Sequence, residues 1–391
     1  MLISIALILT SGMFAGWLFK KIKFPSLFGM ILAGILIGPH VLNLLDSSIL
    51  NISTQIRKIA LIIILLRAGL KLSLDDLKKV GRPAVLMCFL PAAFEMFGMI
   101  LLAPKLLGLS VLDSAILGAV IAAVSPAVIV PKMIKLIDEG YGTAKAIPQM
   151  ILAGASVDDV FVIVMFASFT GIAQGAGVSA LDFVKIPVSI ATGIVIGILS
   201  GLILSIFFNK IKVRDTAKSM ILLCVSFALV FVEDSFKFIP FASLIAVMAS
   251  GLEIKRKNPD AAVRLSRKYD KMWVCAEIFL FVLVGASVAV ESALDAGPET
   301  LLLLLGVLGF RMAGVFACLI KTHLNLKEKI FCMLAYTPKA TVQAAIGGLP
   351  LAMGLSCGEI VLTVSVIAIL FTAPLGAFAI DLTHKKFLLA E

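Results

Sequence analysis

Charge is scarce in this sequence. Asp, Glu, Lys and Arg make up 15% of its 391 residues, against roughly 25% in a soluble domain, where polar residues interrupt apolar runs every few turns. With 61% hydrophobic residues and a mean hydropathy of +1.11, a soluble globular fold is excluded. A cysteine framework is missing as well. Cys88, Cys224, Cys275, Cys318, Cys332 and Cys357 are scattered without C-x-x-C spacing, which argues against both a disulfide scaffold and a structural metal site. No basic stretch precedes the first apolar segment, and Lys20 and Lys21 follow it. That segment therefore reads as a retained span and not as a cleaved signal peptide. Past the last apolar run little sequence remains, so no cytoplasmic regulatory domain is expected.

What is present is a recurring apolar run of about 17 to 25 residues, enough to cross roughly 30 Å of hydrocarbon. Hydropathy predicts about thirteen spans. They fall near 2–19, 25–41, 56–71, 83–107, 112–131, 147–172, 183–208, 217–232, 240–252, 272–290, 299–320, 330–352 and 359–380. The fold class is thus an all-α polytopic membrane protein.

The net charge of +10 is explained by topology and not by a nucleic-acid partner. Basic residues gather after odd-numbered spans: Lys20, Lys21 and Lys23, then Lys71, Lys78, Lys79 and Arg82, and so on to Lys385 and Lys386. Loops after even-numbered spans are poor in them. Only Arg57 and Lys58 blur the alternation. Cytoplasmic loops carry the Lys and Arg excess, which puts the N-terminus outside and the C-terminus in the cytoplasm.

Two spans are interrupted in matching ways. The fifth contains Ser125-Pro126, and the twelfth contains Thr337-Pro338-Lys339-Ala340-Thr341. Proline removes a backbone donor and clashes with the preceding turn. A bilayer tolerates such a break only where protein or a watery cavity takes up the freed groups. The breaks lie seven spans apart, so their segments cross in opposite directions. Spans 1–6 and 8–13 then form inverted repeats, with span 7 as connector, and paired broken helices mark a transporter's mid-membrane site.

Ionisable residues inside spans are costly and are usually functional. Glu95 in span 4, Asp158 and Asp159 in span 6, Arg311 in span 11 and Lys339 in span 12 qualify. Adjacent helical residues point about 100° apart, so Asp158 and Asp159 take different roles. One alternates between a proton and a hard cation, with Ser125, Ser156, Thr337 and Thr341 as candidate oxygen ligands. The other is held by a positive charge. Set against this is a purely structural pair that ties helices together, and hydroxyls in spans usually bond their own helix. Glu95 and Arg311 occupy equivalent spans and suggest a bridge within the bundle. Lys339, next to the Pro338 break, is expected to neutralise opposed helix ends, to reach an aspartate, or both.

These residues carry a resemblance. Ser125-Pro126, Val157-Asp158-Asp159-Val160 and the run from Tyr336 through Pro338-Lys339-Ala340-Thr341-Val342-Gln343 to Gly347 resemble the cation:proton antiporter family, in its NHA-type sodium/proton branch. The resemblance implies the sodium/proton antiporter fold with two crossing discontinuous helices, a homodimer, and a mobile core moving in elevator fashion. It implies a core near 83–172 and 299–380, a dimerisation part near 1–71 and 217–290, and a linker helix at 183–208. By analogy Asp159 is the ion- and proton-binding carboxylate, transiently holding Na⁺, and Asp158 its cation-paired neighbour. Arg311 stands where electrogenic bacterial members have lysine, so their stoichiometry does not carry over.

The function expected is exchange of Na⁺ or Li⁺ for H⁺, with no cofactor and no enzymatic activity. Its partners are monovalent cations, protons, membrane lipids and a second copy of the chain. K⁺/H⁺ exchange is the alternative, and a cation channel a further one. An intramembrane aspartyl protease fits poorly, because its two aspartates come from different spans. The absence of targeting extensions points to a prokaryotic cytoplasmic membrane.

Overall fold

Hydrocarbon offers no partners to backbone N–H and C=O groups, so a spanning segment must satisfy them itself. The computed structural model accordingly places helix at all thirteen predicted spans. It describes residues 1–22, 24–71, 81–174, 180–210, 213–235, 241–288 and 297–390. The predicted loop charges Lys23, Lys78 and Lys79 lie outside the described residues, as does the Ser156 side chain.

In chain order the helices are α1 (Leu2–Lys21), α2 (Ser26–Ile37), α3 (Ser47–Asn51), α4 (Ser53–Lys71), α5 (Arg82–Met87) and α6 (Leu90–Leu106). Next come α7 (Val111–Ile121), α8 (Pro126–Asp138), α9 (Ile147–Ala173), α10 (Ala180–Lys210), α11 (Asp215–Ser235) and α12 (Ser243–Lys257). The last six are α13 (Pro259–Ala286), α14 (Gly297–Cys318), α15 (Leu326–Ala335), α16 (Thr341–Ile346), α17 (Leu349–Ala352) and α18 (Gly358–Phe387). Among the described residues, eight helical segments are long and apolar enough to cross a membrane, four of them joining or trimming these helices: Arg82–Leu106, Val111–Asp138, Ala191–Lys210 and Asp215–Glu233. β-pairing among the described residues is limited to the isolated bridge between Tyr141 and Ala390.

The chain divides into two compact units. The smaller comprises Gln55–Ser73 and Gln174–Glu277. In it α10 lies against α12 along a stripe of small residues. A Cβ at Gly193, Gly197 or Gly201 would come within 2.6, 2.5 and 2.6 Å of the carbonyl oxygens of Ala242, Ala246 and Ser250. Small residues at every fourth position let two membrane helices approach backbone to backbone. Arg67 of this unit pairs with Asp270 at 2.6 Å.

The larger unit comprises Met1–Thr54, Leu74–Ala173 and Ile278–Glu391, and it holds both broken spans. Span 5 is α7 followed by α8, and span 12 is α15 followed by α16 and α17. Ser110 starts α7 by accepting the Asp113 N–H at 3.0 Å. Asn325 and Glu328 start α15 as a capping box, each satisfying a backbone donor of the other. Pro126 is the first residue of α8, a position whose N–H has no helical partner in any case.

Candidate functional site

The two breaks meet. Between Ile121 and Pro126 the chain leaves the helix and Ser125 is extended. Ala335 ends α15, and Thr341 begins α16 after a stretch that contains Pro338. The Ser125 N–H donates to the Pro338 carbonyl at 2.8 Å, which joins the two interruptions directly.

A broken helix leaves its last carbonyls without intrahelical partners. Here side chains supply them. Arg311 of α14 donates through Nη1 to the Ala122 carbonyl and through Nε to the Tyr336 carbonyl at 2.5 Å. It thus meets the C-terminal end of α7 and that of α15 together. The Gln343 amide nitrogen faces the carbonyls of Val120, Ile121 and Ala123 at 3.2, 3.0 and 2.9 Å. The Thr337 hydroxyl donates to Leu334 O at 2.8 Å. On the donor side, Lys339 N–H goes to Thr372 Oγ1 at 2.9 Å. Pro338 packs on Gly376 of α18, where a Cβ would stand 2.4 Å from Pro338 Cγ.

The ionisable residues singled out in the sequence converge at this crossing. Arg311 reaches Glu95 through Nη1 at 2.8 Å and Asp158 through Nη2 at 2.9 Å. Lys339 reaches the same Glu95 oxygen at 2.5 Å. Asp158 Oδ2 also accepts the Val124 N–H at 2.9 Å. Asp158, Glu95 and Arg311 are 0% exposed, and Asp159 8%. A charge so buried survives only when paired and hydrogen-bonded, and this group arranges that internally.

The roles expected of the side chains redistribute. Neutralising the opposed helix ends was expected of Lys339, but Arg311 and Gln343 meet those ends. Lys339 reaches neither aspartate and pairs with Glu95. The physical reason is geometry: the guanidinium's five donors form a planar fork that can serve several acceptors at once, whereas an ammonium is a point charge. Thr337 turns its hydroxyl to its own helix, so that hydroxyl is already spent as a donor. Sequence reasoning missed Gln343 as a member of the site. It also missed Tyr336, whose hydroxyl bonds the Met87 carbonyl at 3.0 Å. The available signal was their place in the run around Pro338.

Several oxygens at the crossing have no hydrogen-bond partner among the described residues. They are Asp159 Oδ1, Asp158 Oδ1, Glu95 Oε1, Ser125 Oγ, Thr341 Oγ1 and Gln343 Oε1, all buried. Buried polar atoms are almost always satisfied, so a concentration of acceptors without donors fits a site that receives a cation. Asp159 differs most from its neighbour: Asp158 is tied down by Arg311 and Val124, and Asp159 Oδ1 meets no donor.

The architecture has solved counterparts. The sodium proton antiporter MjNhaP1 from Methanocaldococcus jannaschii, determined at pH 8, superposes with a TM-score of 0.85 over 98% of this chain and 97% of that one, at 21% identity. That similarity shows the fold: an all-helical membrane architecture with inverted repeats and crossing discontinuous helices. Sequence relatives are closer. Human sodium/hydrogen exchanger 9B2 is 35% identical over 382 residues, covering 93% of this chain and 70% of the human protein. The Xenopus tropicalis exchanger 9B2 is 34% identical over 408 residues, covering 99% of this chain and 75% of its own length. These animal relatives overturn the expectation of a prokaryotic membrane, which rested on chain length and absent targeting extensions alone. The family model described as sodium/hydrogen exchanger, transmembrane, matches residues 5–385. This chain, an integral membrane protein, belongs to the sodium/hydrogen exchanger family.

Proposed function

We propose that the protein exchanges Na⁺ or Li⁺ for H⁺ at a single site in which the two compete for Asp159. The observation that carries this reading is a count of formal charge. Arg311 and Lys339 contribute two positive charges, and Glu95 and Asp158, their bonded partners, two negative ones. These four balance. Asp159 is a fifth charge in the same low-dielectric surroundings, and burying it uncompensated is strongly unfavourable. Either a proton or one monovalent cation makes it neutral, and each excludes the other. Unpartnered oxygens nearby favour a hard cation.

Movement follows from the same bonds. The buried pairs join α6, α9, α14 and the two broken spans, which supports a core near 83–172 and 299–380 travelling as a body. The parts near 1–71 and 217–290 then serve as the scaffold and homodimer surface, with 183–208 as linker. This is elevator-type alternating access within a lipid bilayer. The charge alternation of the loops supports an outside N-terminus and a cytoplasmic C-terminus.

The test uses purified protein in liposomes enclosing a pH-sensitive dye, on an imposed proton gradient. Na⁺, Li⁺ and K⁺ are added in turn to wild type and to Asp159→Asn. Na⁺- or Li⁺-driven proton movement that the folded mutant loses supports the reading. A response to K⁺ alone would change the cation assigned. Flux without counter-moving protons would make the protein a channel, and wild-type exchange by Asp159→Asn would remove Asp159 from the mechanism.

A further inference from the structure

We propose that Gln343 is an oxygen ligand of the transported cation and takes no part in holding the proton. The inference deepens the exchange reading above and rests on it for the identity of the two substrates. It begins with the orientation of one amide. Gln343 is 1% exposed, and its Nε2 lies 3.2, 3.0 and 2.9 Å from the carbonyl oxygens of Val120, Ile121 and Ala123. Those carbonyls accept and cannot donate. An amide's nitrogen and oxygen are assigned from such a network, and this one permits a single answer: turned over, Oε1 would face three other oxygens. Nε2 is therefore fixed on the end of α7, and Oε1 is turned away from it.

That oxygen is buried and meets no donor among the described residues. It shares this condition with Ser125 Oγ, Thr341 Oγ1, Asp158 Oδ1 and Asp159 Oδ1. The chain and its bonds bring these groups to one crossing. Gln343 holds the Ala123 carbonyl, and the next residue, Val124, gives its N–H to Asp158. Ser125, one residue further, bonds Pro338, and Thr341 lies two positions before Gln343 in α16.

The chemistry separates the two substrates. A carboxylate accepts either a proton or a cation. The side-chain amide oxygen of Gln has acceptor lone pairs and no ionisable proton, so it stabilises a bound cation and leaves proton affinity to Asp159. Hard cations take oxygen ligands, amide carbonyls among them. Gln343 thereby biases the competition toward the cation, which makes it specificity-determining for the exchange.

The test is Gln343→Met, close in volume and without amide atoms, in the same liposome assay. Expected is a rise of about tenfold in the Na⁺ and Li⁺ half-saturation, the equivalent of one good contact. At sub-saturating Na⁺ the pH of half-inhibition, which reads proton affinity alone, stays where it is in wild type. A merely structural role would instead move the Na⁺ and proton affinities together. An unchanged Na⁺ half-saturation overturns the proposal. Should Gln343→Met fail to fold, difference infrared spectroscopy decides. The protein is labelled with side-chain ¹³C-glutamine in a variant carrying Gln55→Met, Gln149→Met and Gln174→Met, so that Gln343 alone reports. A Na⁺-induced shift of the labelled carbonyl band supports ligation, and a band indifferent to Na⁺ overturns it. Because this reads binding, it stays decisive for Gln343 even if wild type shows no proton-coupled flux, an outcome that would sink the exchange reading itself.

Discussion

Ser125 and Pro338 are joined by a backbone hydrogen bond of 2.8 Å, so each helix break supplies a partner for a group the other has freed. Pro338 is held in place from behind by Gly376, whose missing side chain leaves room for the proline ring. Gly376→Val would press two branches into space where a single Cβ already comes to 2.4 Å. Overpacking of this kind costs about 1–3 kcal/mol. The expected result is a lower melting temperature in detergent and a large loss of exchange rate. A variant that melts and transports like wild type would show that the crossing tolerates displacement of Pro338.

Glu95 and Arg311 are bonded at 2.8 Å with both side chains fully buried. Removing one partner of a buried pair strands the other, at a cost of about 3–5 kcal/mol. Glu95→Ala and Arg311→Ala should each destabilise the protein to this extent, and the double variant by less than their sum. Thermal or denaturant melts of the four proteins measure the coupling. Additivity to within about 0.5 kcal/mol would mean that the two do not interact.

The hydroxyls at the site separate into two kinds. Thr337 donates to Leu334 of its own helix, while Ser125 Oγ and Thr341 Oγ1 have no partner among the described residues. Thr337→Val should leave the Na⁺ half-saturation unchanged. Ser125→Ala and Thr341→Val should each raise it roughly fivefold, the equivalent of about 1 kcal/mol per polar contact. Equal effects from all three would count against a distinction based on these bonds.

The charge count at the site has an electrical consequence. If Asp159 carries one proton or one monovalent cation and the other four charges stay as they are, exchange moves no net charge. Initial rates in liposomes should then be the same with the membrane potential clamped at zero or set to either sign. A rate that follows the potential would mean that a further proton moves, with Lys339, the one cation here able to release one, as the first residue to replace.

Much of this site was legible before folding. Proline at Pro126 and Pro338 and charge at Glu95, Asp158, Asp159, Arg311 and Lys339 stand out because hydrocarbon penalises both so heavily. Which aspartate is tied down was assigned to Asp158 only by the family resemblance and not by the residues themselves, since adjacent residues on one helix look alike until a neighbouring helix approaches one of them. Lys339 illustrates the same limit. Its position beside the break pointed to helix ends or an aspartate, while its ammonium bonds Glu95, 244 residues away in sequence. Gln343 gave no signal of its own, because an amide in an apolar helix gains meaning only from the three carbonyls it faces.

The sequence by itself determined that the chain is a helical membrane protein, where its spans run and where two of them break. Those properties are local: each backbone group in a bilayer must be satisfied within its own segment, so length, hydropathy and proline position are enough to read them. The pairing of Arg311 with Glu95 and Asp158, the crossing of the breaks and the lack of a donor to Asp159 Oδ1 among the described residues were decided only by tertiary structure. The carboxylate partners of Arg311 lie 216 and 153 residues from it. No local rule brings such residues within 3 Å of each other; the packing of helices from opposite halves of the chain does.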